Sequence, residues 1–249
     1  MRLIAFIVVL CLCSTRLEAK PNFFKNMLGK LHNAVKEVVG DKSEREDGKP
    51  WFCHDLDCPE FKVVRKITVN DDLEIEERCY PETTWVQTTM NGDRQNLKYY
   101  TMFQKLFAYI QKDENVKKEK IEMTAPVLVS VTDVNDETVN AQMGFFVPPA
   151  EESTAPAPTR KDVKIGSKTP MCVYVYSYGG WQMNLDNKFW KNVNILKDGL
   201  REAGVTDFDE SAGAMFAGYD SPFRVFNRHN EVMVLKKPSE EIKVENKSS

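Results

Sequence analysis

Histidine is scarce in this chain of 249 residues, which holds only His32, His54 and His229. The commonest general base and metal ligand is therefore missing from most of the sequence. No Ser/His/Asp, Cys/His or paired-carboxylate arrangement carries a recognisable local signature, and no glycine-rich phosphate loop is present, so the chain reads as non-enzymatic. It also lacks a long apolar run. The stretch from Leu3 to Leu12 is ten residues, against about 20 needed to cross a bilayer as a helix. Charge of one sign is missing as well: the net charge is −3, with Lys and Arg scattered among acids, which gives no basic face for nucleic acid. Near Cys53-His54-Asp55-Leu56-Asp57-Cys58 there is no second Cys-x-x-Cys or His pair to complete a tetrahedral site, so no metal is assigned.

What is present begins with Arg2, the apolar run and Leu17-Glu18-Ala19, which together read as a signal peptide over residues 1–19, cut after Ala19. Its removal takes away Arg2, Arg16 and Glu18 and leaves a charge of −4. The mature chain is then expected to be secreted and extracellular. Cys11 and Cys13 leave with the leader, so Cys53, Cys58, Cys79 and Cys172 meet an oxidising compartment. Cys53 and Cys58 close a short loop and are expected to form a disulfide. Whether Cys79 pairs with Cys172 depends on the fold bringing them within about 7 Å.

Residues 20–50 carry Phe24, Met27, Leu28, Leu31, Val35 and Val38 at helical spacing, followed by the charged run Asp41 to Gly48. This predicts an amphipathic helix and a solvated linker, with residues 20–40 as a segment able to lie on a membrane surface. From Trp51 the order strand, helix, strand, strand occurs twice. Strands are expected at Lys62–Val69, Leu73–Arg78, Thr84–Thr89, Glu122–Val131 and Gln142–Val147 around a helix at Asn96–Gln111. Met171–Tyr178, Ala214–Tyr219 and Glu231–Lys236 are the strands of the second pass, around a helix at Asn187–Ala203. Two passes are too few for an open solenoid, so one closed domain with pseudo-twofold symmetry is expected over residues 51–238. The proline-rich stretch Val147 to Pro158 reads as a crossover loop between the passes, and Glu74, Glu76 and Glu77 as a solvated strand edge. Residues 239–249 are a polar tail, with a glycosylation sequon at Asn246.

Four stretches carry a family likeness: Lys120-Ile121-Glu122-Met123-Thr124-Ala125-Pro126-Val127, Met143-Gly144-Phe145-Phe146-Val147-Pro148, Val173-Tyr174-Val175-Tyr176-Ser177-Tyr178-Gly179-Gly180, and Ala217-Gly218-Tyr219-Asp220-Ser221-Pro222-Phe223 with Asn227-Arg228-His229-Asn230-Glu231-Val232. In order and spacing they resemble the SOUL family of haem- and porphyrin-binding proteins over about Pro59 to Lys237, and the secreted branch above all. The resemblance implies an α+β fold: a distorted, mainly antiparallel eight-stranded β-barrel flanked by two helices and built from two similar halves.

It further implies a non-covalent tetrapyrrole ligand, haem or free porphyrin, held by apolar contact along the first helix with basic groups near its propionates. On this chain that helix offers Tyr99, Tyr100, Phe103 and Phe107 as cofactor-binding residues, since aromatic rings stack on a flat macrocycle. Tyr100 and Ala108 stand where a relative places Arg and Lys, leaving Lys98, Lys105 or Lys112 as substitutes. No axial histidine is expected: His32 lies on the amphipathic segment, while His54 and His229 read as solvated. The alternative is a non-enzymatic binder of another apolar ligand, a membrane surface or a partner protein.

Overall fold

The computed structural model describes residues 48–70, 72–94, 97–133, 137–182, 187–221 and 223–238. The expected leader, amphipathic helix with His32, membrane-surface segment and Asn246 lie outside the described residues. Nine strands form one antiparallel sheet: β1 (Lys62–Val69), β2 (Leu73–Tyr80), β3 (Thr83–Asp93), β4 (Val127–Asp133), β5 (Thr138–Val147), β6 (Val163–Lys168), β7 (Met171–Tyr178), β8 (Ala214–Gly218) and β9 (Asn230–Leu235). Two helices, α1 (Tyr99–Ile110) and α2 (Asn187–Glu202), join β3 to β4 and β7 to β8. No helix among the described residues is long and apolar enough to cross a membrane.

The strand order is β1-β2-β7-β9-β8-β4-β5-β3-β6. No ladder joins β1 to β6 among the described residues, so the sheet is open and nine-stranded where a closed eight-stranded barrel was expected. Both outer strands carry the charge that discourages further pairing: Lys62, Arg65 and Lys66 on the exposed β1, and Lys164 and Lys168 on β6. β4 also begins later than expected, at Val127 rather than Glu122, because Pro126 has no N–H to give to a ladder.

Side chains alternate across the sheet with the period of two that strands impose. On β7, Tyr174 and Tyr176 face the helices, while Val173 and Val175 face the other way. α1 buries Tyr99, Met102, Leu106, Tyr109 and Ile110; α2 buries Phe189, Val193, Leu196 and Leu200. Gly199 lets α2 approach β2 closely, since a Cβ there would stand 2.5 Å from Leu73 Cδ2. Just past the end of α2, Gly204, with a φ of 72°, lets Val205 N–H donate back to Leu200 O at 2.8 Å.

The opposite face is smaller and is closed by Trp51–Cys58. Phe52 and Cys53 bury there with Trp85, Phe146, Val175, Ala217 and Tyr219. Disulfides join Cys53 to Cys58 and Cys79 to Cys172. Cys79 and Cys172 sit directly opposite one another on β2 and β7, with Cα atoms 4.0 Å apart, which answers the pairing question left open by spacing.

Candidate functional site

The burial stripe of α1 divides the four aromatic residues singled out above. Tyr99 lies on the buried side, and burial pushes its phenol up to about 12 against the pull of Arg94. Tyr100, Phe103 and Phe107 follow one another at i, i+3 and i+7, which places them on a neighbouring stripe. Tyr100 is 71% exposed and Phe107 41%, while Phe103 is half-buried. The Phe103 and Phe107 rings stack at 5.6 Å and 18°, and Phe103 meets Phe145 edge-on at 5.4 Å. Burial of Met102 and Leu106 fixes the helix rotation, so the outer rings are displayed by packing beneath them.

The lysines near this stripe differ. Lys105 is committed to Asp162 at 2.9 Å. Lys98 and Lys112 flank the helix, exposed, and neither ammonium group has a hydrogen-bond or ion-pair partner among the described residues. Tyr100, Phe103 and Phe107 therefore offer apolar ring surface with cationic groups only at its two ends, which fits a flat apolar ligand with anionic edges.

At the C-terminal end of α1, on its inner side, lies a cavity of about 280 Å³ between the helix, β3 and β5. Its walls include Val86, Tyr109, Ile110, Phe145 and Val147, and Glu119, Glu122 and Glu151 are among its polar residues. The proline-rich crossover supplies one side: Tyr109 donates its hydroxyl to Pro156 O at 2.7 Å, so this segment packs as well as connects.

A third centre is on the other face. Glu231, fully buried on β9, accepts from Arg78 Nη1 at 2.8 Å, Tyr219 Oη at 2.8 Å and His229 Nε2 at 2.8 Å. Burial pushes its carboxyl up, but the Arg78 charge and the hydrogen bonds from His229 and Tyr219 outweigh this and leave it at about 2. Phe52 stacks flat on His229 at 4.0 Å and 2°, while His54 Nε2 meets Asp220 Oδ1 at 2.9 Å. The expectation of solvated histidines is thus corrected: His229 is buried and His54 is largely covered, because the disulfide-closed segment folds over the β8–β9 turn. Glu77 likewise departs from the solvated edge expected of it. β2 is flanked by β1 and β7, and Glu77 is buried between Arg65 at 2.6 Å and Lys236 at 2.6 Å.

Sequence reasoning passed over Glu231 and Glu151. A lone acid entering the apolar run Val232-Met233-Val234 signals a buried charge in need of a partner, whereas nothing in a proline-rich loop marks Glu151. No group of three or more metal-binding side chains is found among the described residues.

Residues 56–235 match the family described as SOUL heme-binding protein. The chain is 32% identical over 196 residues to Heme-binding protein 2 of Mus musculus, covering 77% of this chain and 91% of that protein. It is 33% identical over 164 residues to Heme-binding protein 2 of Homo sapiens, covering 64% of this chain and 77% of that one. Among solved structures, the cryo-EM structure of an EcmrR–DNA complex aligns with a TM-score of 0.47 and 8% identity, over 66% of this chain and 57% of that chain.

Proposed function

The chain belongs to the SOUL heme-binding protein family, and on that footing we propose that it is a secreted, non-enzymatic binder of haem or free porphyrin. The macrocycle is held non-covalently against the outer face of α1, on Tyr100, Phe103 and Phe107, with Tyr99 supporting the helix from the core. The carrying observation is the stack of half-buried Phe103 on exposed Phe107 beside exposed Tyr100, ring surface at which the described residues leave Tyr100 and Phe107 open. No histidine serves as an axial ligand in this reading; His54 and His229 are engaged on the other face. Tyr100 is the oxygen donor on the stripe available to iron. Secretion is supported by the leader and by two disulfides, which persist in oxidising compartments. The two-halves reading is supported by the strand order, in which β3 and β7, β5 and β9, and β4 and β8 hold mirrored places.

Burying ~300 Å² of apolar surface at ~25 cal/mol/Å² yields ~7 kcal/mol before association costs. Micromolar affinity needs about 8 kcal/mol, so apolar contact alone gives weak binding. Titration of the mature protein with hemin should give a saturable Soret shift, weakened in Tyr100→Ala and Phe107→Ala. Absence of a shift at tens of micromolar would sink the proposal, and unchanged affinity in both variants would move the site off α1.

A further inference from the structure

The cavity at the inner end of α1 has a charge pattern unlike that of the aromatic stripe. Its floor and walls are apolar, from Val86, Phe145 and Val147 of the sheet and Ile110 of the helix. Its charged lining is mainly acidic, with Glu119 and Glu122 at the exposed rim, Glu151 half-buried and Lys120 as the lysine among them, while Thr124 and Thr154 add neutral polar groups. The neighbouring lysines neutralise these acids only loosely. Lys120 Nζ stands 3.5 Å from Glu122, and Lys117 Nζ stands 3.6 Å from Glu119. Glu151 is half-buried, and its carboxylate makes no hydrogen bond or ion pair with any described residue. Glu119 and Glu151 both act on the Tyr109 phenol in the wall, which burial and these two charges push up to about 12.

A half-buried carboxylate without a partner, beside an apolar hollow, is poised for a cation that brings its own apolar body. We infer that this cavity binds an organic cation: an ammonium group at Glu151 and Glu119, with a one- or two-ring apolar portion against Phe145, Val147 and Ile110. Size and sign both set it apart from the tetrapyrrole surface. At about 280 Å³ it lies just under the roughly 300–1,000 Å³ of pockets for drug-sized ligands, and its carboxylates repel propionates. Phe145 touches both regions, lining the cavity and meeting Phe103 edge-on.

The experiment is calorimetric titration of the mature, disulfide-intact protein with 1-naphthylmethylammonium, 1-naphthalenemethanol and 1-naphthoate. The ammonium should bind saturably and at least about tenfold tighter than the alcohol, with the carboxylate weakest. Glu151→Gln and Glu119→Gln should each weaken the ammonium about threefold, and the double variant about tenfold, leaving the alcohol unchanged. Equal affinity for ammonium and alcohol, or a double variant that binds the ammonium like the parent, overturns the inference. Hemin titration of the double variant keeps the two sites distinguishable: loss of ammonium binding with hemin affinity intact supports a separate cation site, whereas parallel loss of both overturns it.

Discussion

On the sheet face away from the helices, a carboxylate is buried and both its oxygens are engaged: Glu231 sits among Arg78, Tyr219 and His229 under Phe52. On the helix face, large aromatic rings stand at the surface with nothing described above them. The first region has its polar demands met from within the chain, and disturbing it leaves a charge stranded in an apolar setting. The second can lose an outer ring and keep its packing, because Met102 and Leu106 beneath are what hold α1 down. The buried charge cluster and the proposed ligand surface thus lie on different faces of one sheet.

The largest break in that division should come from the link between β2 and β7. Closing a loop of 93 residues stabilises by about 4–5 kcal/mol in the chain-entropy account. The double variant Cys79→Ser, Cys172→Ser should lose stability of that order in denaturant titrations, with hemin affinity of the folded fraction retained. Next is Arg78→Ala, which leaves Glu231 buried without its strongest partner and should cost about 3–4 kcal/mol, read in the same way.

A pH profile sharpens the comparison further. The Glu231 carboxyl is lowered from 4.5 to about 2 in the fold, so it binds fewer protons folded than unfolded. Its stabilisation is complete above about pH 5 and is lost as pH falls through 4.5 towards 2. Glu231→Gln should be less stable at neutral pH and should show a shallower acid limb; an acid limb parallel to the parent's would remove Glu231 from that role. The smallest change in stability is expected for Phe107→Ala, about 0.5–1 kcal/mol from the lost ring stack, accompanied by a clear loss of hemin affinity. A large stability loss there, with binding intact, would reverse the assignment of the two faces.

Much of this arrangement was legible from residue spacing. The helical repeats placed α1 and α2 within three residues of their ends, and alternation placed most strands, because both signals come from local geometry. β6 escaped notice: Val163-Lys164-Ile165-Gly166-Ser167-Lys168 is short, polar and glycine-containing, and its strand character comes from pairing with β3. The openness of the sheet was hidden for the same reason, since it depends on which strands end without partners.

At the stripe, spacing singled out Tyr100, Phe103 and Phe107 but could not separate Tyr99, one residue away and on the buried side. The histidines were misjudged because burial of His229 depends on Phe52, 177 residues earlier in the chain. The cavity was invisible for a similar reason: Glu119 and Glu151 come to line one hollow only when the crossover packs against Tyr109.

The Cys79–Cys172 link also determines how the molecule would carry force. Tension applied at its two ends would pass directly from β2 to β7 through the sulfurs. The intervening loop, with a sequence separation of 93, would be short-circuited, withholding roughly 310–330 Å of contour length at ~3.3–3.6 Å per residue. α1, its aromatic stripe and the cavity all lie inside that bypassed loop, whereas the Trp51–Cys58 segment, α2 and β9 lie outside it. A pulled molecule would surrender α2 and β9 while the covalent loop still enclosed α1, its rings and the cavity.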